Sequence, residues 1–437
     1  MQKSYYVDNR KRLYQHMDAG SLLAIFSGEE LWKCGDEYFP FFADRNFVYL
    51  TGLKCKSAVL LAAKDPDGSV QERLYLLPPD TLAERWTGVR VRPVEAEAVS
   101  GISDARSIQA FERDFSALAS GGKYEKIYLD LYRYTPEQPD RPPHRLLRRI
   151  QKDFAYLSIG NAEDILRSLR LIKQPCEIEA LRKAEAITRE GILAMMRSSH
   201  PGKYEYQYKA DFDYALAQHS PDGPGFPSII SCGKNNFCIH YYSYTGQAQD
   251  GDMVLNDVGA QYDCMITDVS RAWPCNGKVS ERQRILYECV LATSNYLFSI
   301  IRPGMKMEDV DATIRRYNAE RLVEAGVLKS VDEVGRLMWH GGSHHIGYDV
   351  HDMVKRPEIL APNMVFCVDV GVYNEEWGIG FRLEDNCLVT EDGCENLSAA
   401  IPRTIEDIES AMRGDVCWSA PSCALWPSAR CSADWIF

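Results

Sequence analysis

The 437-residue chain has no CxxC pair among its 14 cysteines, no apolar run long enough to cross a bilayer, and no surplus of positive charge. Each absence removes a class of function. Scattered cysteines without framework spacing fit free thiols in a reducing compartment, and the cytoplasm is the expected location. Apolar runs such as Ala58–Ala63 fall far short of the roughly 20 residues a membrane helix needs. A formal net charge of -12 argues against nucleic-acid or anionic-membrane partners, because both need a basic face. The opening stretch, Met1 to Arg12, is polar and charged with no apolar segment behind it, so no secretory signal is expected.

What remains is ordinary globular composition, 45% hydrophobic and 26% charged, in a chain long enough for two domains. The first part reads as a small α/β domain. Helical spacing of Leu13, Tyr14 and Met17 predicts a helix over Asn9–Asp18 that stops at Gly20. Strands are expected at Leu22–Phe26, Phe47–Leu50, Ala58–Ala62, Leu74–Leu77 and Tyr124–Leu129. The turn-forming Asp65-Pro66-Asp67-Gly68 separates two of them, and Thr135–Pro143 reads as a surface loop. A helical segment over Asn161–Ile172 then leads to a long amphipathic helix from Cys176 to about Arg197, with Pro175 at its start. The domain boundary is placed near Leu171, giving regions 1–170 and 171–413. Beyond it, strand-like Val254–Ala260, Met364–Val370 and Phe381–Val389 mix with helical Glu281–Ile301 and Met307–Ala325, an α+β pattern. Residues 414–437, with Cys417, Cys423 and Cys431 irregularly spaced, read as an irregular tail without zinc-type spacing.

Chemistry concentrates in the second part. Asp257 sits inside the apolar run Met253–Ala260, and Asp268 repeats the pattern in Ile266–Arg271. A carboxylate in an apolar strand is costly unless it is paired or bound to a cation. Taken alone, the pair equally fits Asp257 capping a turn at Gly259 and Asp268 pairing with Arg271. Next comes the stretch His340 to Asp352, which holds four of the chain's 9 histidines interleaved with glycines. That composition suits a loop bringing imidazoles to a ligand or metal. Asp369 lies in the apolar run Met364–Gly371, and the two-residue strand period puts Arg382 and Glu384 on one face. Asp257, Asp268, Asp369 and Glu384 carry four negative charges, matching two divalent cations, with a neutral histidine adding a nitrogen donor. An oxygen-rich set with one imidazole suits Mn²⁺ or a similar ion. Paired metals can lower the pKa of a water and hold a carbonyl, which is hydrolase chemistry.

In order along the chain, Gly233 to Tyr241, the two aspartate strands, His340–Asp352, and Asp369 with Glu384 resemble the motifs of pita-bread metallopeptidases, closest to aminopeptidase P. The N-terminal run Phe41 to Gly52, which includes Asp44-Arg45-Asn46, resembles that family's non-catalytic domain, so the likeness spans about residues 8–412. It implies a small N-terminal α/β domain followed by a pita-bread catalytic domain. It also implies an Xaa-Pro aminopeptidase using two divalent ions (Mn²⁺, with Co²⁺, Zn²⁺ or Fe²⁺ as alternatives). By the resemblance, Asp257, Asp268, His344, Asp369 and Glu384 are metal ligands, and His240, His340 and His351 face substrate. His240, His351 and Glu384 would take part in the chemistry, with a carboxylate such as Glu384 or Asp369 protonating the departing proline nitrogen. Arg382 and Tyr373 are supporting residues. Trp86 would be lent to the site of another subunit, implying a homo-oligomer.

Two departures stand out. Aspartate occupies position 369, within Val368-Asp369-Val370-Gly371, where the family usually has glutamate, so its reach is one methylene shorter. Ser270 replaces a usual threonine. The alternatives are an Xaa-Pro dipeptidase with the same ligands and a metal-free relative of the same fold.

Overall fold

The computed structural model describes residues 1–354 and 358–415. The expected irregular tail lies outside them from residue 416 onward. Gly414 itself, with φ +81°, closes the last helix among the described residues, Ile405–Arg413.

The N-terminal region is built on one six-stranded mixed sheet in the order Ala105–Ser107, Val70–Leu76, Val59–Lys64, Ser21–Phe26, Lys126–Leu129, Ser158–Asn161. Both of its faces are covered. Leu23 and Ile25 of the Ser21–Phe26 strand join one buried cluster, and Leu22 and Ala24 join the other. Such a doubly covered strand reads as a continuous apolar run rather than an alternating one.

Three expectations for this region are corrected. Phe47–Leu50 is not a strand but the centre of a helix, Arg45–Thr51. The Asp44 carboxylate accepts from the backbone N–H groups of Asn46 (3.0 Å) and Phe47 (3.1 Å), and Gly52 ends the helix in the left-handed region at φ +73°. With caps at both ends and every residue buried, a short apolar run folds as a helix, which periodicity alone cannot distinguish from a strand. The first helix begins earlier than expected and spans Lys3–Gln15. The loop expected at Thr135–Pro143 gives way at its end to a helix, Pro142–Asp153, whose two prolines suit a first turn.

Helices Glu163–Leu171 and Pro175–Arg197 flank the expected boundary. The second opens with Pro175 at its first position and a capping contact in which the Gln174 N–H donates to Glu177 (2.7 Å). The C-terminal region repeats one order twice. Helices Pro175–Arg197 and Glu205–Ala217 precede the sheet Ile229–Cys232, Met253–Val258, Val269–Pro274; helices Glu281–Ile300 and Met307–Glu324 precede the sheet Val365–Asn374, Ile379–Val389, Cys394–Asn396. One buried cluster joins the halves, with Leu193, Leu255 and Trp273 from the first and Val290, Ile314, Val368 and Leu383 from the second. This is the α+β, pita-bread arrangement.

The two regions of the chain are tied together by polar contacts. The Tyr5 hydroxyl donates to Glu177 (2.7 Å), Arg170 pairs with Asp349 (2.7 Å), and Arg170 also pairs with Asp352. The last two contacts pull the histidine-rich loop against the N-terminal region. No helix among the described residues is long and apolar enough to cross a membrane.

Candidate metal centre

Register explains how carboxylates far apart in sequence come together. In the first sheet Asp257 stands opposite Ser270, and in the second Asp369 stands opposite Glu384. The two sheets meet along Val269–Pro274 and Ile379–Val389. The Ser270 hydroxyl donates to Glu384 Oε2 (2.8 Å), the Asp268 N–H donates to Asn386 Oδ1 (3.0 Å), and Arg271 Nη1 donates to the Glu384 carbonyl (2.8 Å). Arg382 crosses the seam to Asp257 Oδ2 (2.6 Å) and also reaches Ser270 Oγ (3.2 Å), the Tyr373 hydroxyl (3.1 Å) and the Ile239 carbonyl (3.2 Å). The residue before His240 is thereby fastened to the same guanidinium. Arg271, which could have paired with Asp268, instead binds Asp385 (2.7 Å). The salt-bridge reading of Asp268 is therefore excluded.

The histidine loop lies along Val365–Asn374. The Cys367 N–H donates to the His344 carbonyl (2.8 Å) and the Asp369 N–H to the Gly342 carbonyl (2.7 Å). A Cβ on Gly342 would sit 2.7 Å from the Asp369 carbonyl oxygen, so glycine is required for this approach. Asp311, from the helix Met307–Glu324, accepts from Ser343 Oγ (2.6 Å) and the Gly342 N–H (3.1 Å), pinning the loop from behind. Three of the four histidines gather at the seam. His344 Nε2 lies 3.4 Å from Asp268 Oδ2 and 3.7 Å from Glu384 Oε1. The His351 ring sits edge-on to His344 at 4.2 Å. His340 contacts Asp369 (3.2 Å) and the Tyr373 hydroxyl (2.9 Å). The fourth, His345, is buried against Phe366. His240 is exposed and stacks on Tyr242. Trp86 is far more open than any of these, at 84% exposure on the wholly unburied helix Thr81–Thr87.

The electrostatics are those of a site short of positive charge. Burial, then Glu384 and Asp257, push the Asp268 carboxyl well above its ordinary range. Burial, then Asp369 and Asp257, do the same to Glu384. Burial raises Asp369 to about 8 despite Arg382. Burial also acts upward on Asp257, but the adjacent Arg382 outweighs it and holds that carboxyl low. His344 falls to about 4 through burial and His351, so its imidazole is neutral at neutral pH. The carboxylate oxygens Oδ1 of Asp257, Asp268 and Asp369 are buried and have no hydrogen-bond partner. Buried oxygens without donors, one guanidinium among four acids, and a neutral imidazole are what a cation site presents. The residues fit divalent metal.

One ligand atom from each of Asp268, His344, Cys367 and Glu384 lies within 4.8 Å of the other three. Asp257 and Asp369 stand outside that tight set. Cys367 escaped the sequence reading because it was one of many scattered thiols. Its signal was its place two residues before Asp369, on the same strand face. Asp311 and Asn386, which orient the loop and the Asp268 backbone, carried no local signal.

Comparison with known proteins agrees with this architecture. The family model of metallopeptidase family M24 matches residues 179–391, and that of the aminopeptidase P N-terminal domain matches residues 6–128. The chain is 30% identical over 423 residues to the Xaa-Pro aminopeptidase of Escherichia coli, covering 92% of this chain and 96% of the relative. It is 31% identical over 431 residues to that of Haemophilus influenzae, covering 94% and 97%. The structure of E. coli aminopeptidase P with the inhibitor Pro-Leu superposes with a TM-score of 0.87 at 28% identity, covering 95% of this chain and 99% of that one. The chain belongs to metallopeptidase family M24, with an aminopeptidase P N-terminal domain.

Proposed function

We propose that this chain is an Xaa-Pro aminopeptidase, hydrolysing the bond before proline and releasing the first residue of the peptide. The observation that carries this reading is the seam itself. Asp257, Asp268 and Asp369 keep buried oxygens without partners, and Glu384 and a neutral His344 stand beside Asp268, in a chain whose relatives are named Xaa-Pro aminopeptidases. Asp257, Asp268, His344, Asp369 and Glu384 are assigned to hold two divalent ions. Mn²⁺ suits the oxygen-rich donors, and Co²⁺, Zn²⁺ and Fe²⁺ are compatible. When bound, such ions polarise the scissile carbonyl and lower the pKa of water.

The chain's own residues supply the rest. Arg382 fixes the Asp257 carboxylate through its 2.6 Å bond and is itself held by Tyr373, so one oxygen of Asp257 is presented toward the seam. The Ser270 hydroxyl occupies Glu384 Oε2 and leaves Oε1 facing His344. His351, His340 and His240 line the peptide's approach. Neutral His351 is placed to hold a proton near the carbonyl oxygen as negative charge develops there. Proline nitrogen is a secondary amine that must leave protonated. Glu384 or Asp369, the acids closest to the reacting bond in this assignment, is assigned to deliver that proton. We assign the exposed Trp86 to the cleft of a second copy, which makes the working form a homo-oligomer, and place the enzyme in the cytoplasm.

The test compares Xaa-Pro-Xaa tripeptides with Xaa-Pro dipeptides, after Mn²⁺ loading and after chelation. Metal-dependent release of the first residue from the tripeptide is expected. Cleavage of the dipeptide alone would make the enzyme an Xaa-Pro dipeptidase, and no metal-dependent cleavage would overturn the hydrolase reading.

A further inference from the structure

Cys367 has no role in the ligand set assigned above, yet its sulfur is in the tightest group of donors in the seam. It is fully buried, and its sulfur shares the 4.8 Å neighbourhood with one ligand atom each of Asp268, His344 and Glu384. The flanking side chains Phe366 and Val368 go to one apolar cluster, while Cys367 borders a second with Val365 and shares its strand face with Asp369. Asp268 is only 4% exposed and keeps Oδ1 without a partner. This orphaned oxygen is independent of the cysteine and itself calls for a cation. Asn386 Nδ2 lies 3.7 Å from the sulfur, an N–H contact of the kind that supports a thiolate.

The spacing agrees with coordination. Donors bound at about 2.0–2.3 Å in a tetrahedral shell stand about 3.3–3.6 Å apart. His344 Nε2 already lies 3.4 Å from Asp268 and 3.7 Å from Glu384. Two carboxylates, one imidazole and one thiol form an O₂NS set. Asp369, with its short side chain, stands outside this group and contacts His340 instead. The strand thus presents sulfur two residues before the position where an acid has lost reach.

We propose that Cys367 is a thiolate ligand of the metal centre, binding one ion together with Asp268, His344 and Glu384. The proposal rests on the metallopeptidase reading of the seam and deepens it. A divalent ion replaces the thiol proton, which is released to solvent, and a metal–sulfur bond forms with no change of oxidation state. A sulfur donor shifts the preference of this ion from Mn²⁺ toward Zn²⁺, Co²⁺ or Cd²⁺.

The full chain is stripped of metal and loaded with stoichiometric Co²⁺, and metal content is measured separately from the spectrum. Wild type is expected to show a sulfur-to-cobalt charge-transfer band in the near ultraviolet, which Cys367→Ser loses. The exposed Cys34 and Cys238 remain in that variant and control for adventitious binding. Zn²⁺ affinity of the variant should fall by at least roughly 10-fold, since losing a ligand costs no less than losing the partner that orients one, and Mn²⁺ affinity should change less. X-ray absorption of the Zn²⁺-loaded wild type should show sulfur at about 2.3 Å, a readout that does not depend on the variant folding. Cobalt bound without the sulfur band, and zinc without the sulfur shell, would overturn the thiolate while leaving the metallopeptidase reading intact. Failure of wild type to bind any divalent ion would overturn both.

Discussion

Glu384 and Asp385 are neighbours on one strand, at 2% and 0% exposure, and the two faces of that strand treat them in opposite ways. Asp385 is held between Arg271 (2.7 Å) and Arg403 (2.8 Å). Burial pushes its carboxyl up, but the two guanidinium groups outweigh burial and keep it low. Glu384 looks across at Asp369, has a serine hydroxyl as its donor, and is pushed well up. Equal burial therefore says nothing about role. A buried acid with matched cations is a structural pair, whereas a group of acids left short of positive charge is a site waiting for a cation.

The sharpest way to break this contrast is to remove an acid from the seam. Asp268→Ala or Glu384→Ala should lower kcat/KM by at least about 10³-fold, equivalent to several kcal/mol of lost charge stabilisation, and metal content should fall with it. Tripeptide kinetics beside elemental analysis check this, and a variant keeping both metal and activity would refute the site. On the other face, Asp385→Ala strands Arg271 in the core and should cost about 3–5 kcal/mol in urea unfolding. Glu384→Gln in metal-free protein should instead raise Tm, because it removes a buried carboxyl that must take up a proton on folding at neutral pH.

A smaller effect is the dependence on pH, which should differ in sign between the faces. Asp369, raised to about 8, and the likewise raised Asp268 and Glu384 bind more protons folded than unfolded. Their contribution is fully present below the unfolded value of about 4 and is lost as pH rises toward 8. Asp385 is lowered, so its contribution is present above about 4 and is lost as pH falls further. Tm of metal-free protein should therefore decline from pH 5 to 8, and loading with metal should flatten that slope. The smallest stability change belongs to Trp86→Ala, expected within about 0.5 kcal/mol because the ring is exposed. If Trp86 completes a partner's cleft, KM should nonetheless rise, and sedimentation would show whether assembly changes with it.

The sequence was most legible where a cost had to be explained. Asp257 in an apolar strand, four histidines among glycines, and the two-residue offset of Arg382 and Glu384 all violate what a plain core would hold. The structure brings Arg382 and Glu384 to the same serine hydroxyl. Phe47–Leu50 was misread because four apolar residues carry no period, and the deciding features were Asp44 before them and Gly52 after. His345 looked like its neighbours but packs into the core. Cys367 was marked only by its offset of two from Asp369, and Asp311 was silent, since nothing local to it indicates what another strand or loop will place against it.

By itself the sequence determined the inventory: which residue types could bind a cation, that their charges balance two divalent ions, and that the second region mixes strands with helices. Those follow from covalent chemistry and from the period of side chains along the backbone. Which acids would be paired and which left open was decided only by tertiary structure. Arg271 could have neutralised Asp268, three residues away, but the meeting of two sheets sends it to Asp385 instead. The same meeting leaves Asp268, Glu384 and the sulfur of Cys367 facing one another. Electrostatic character depends on distances through space, and strand register and the packing of the two sheets set those distances.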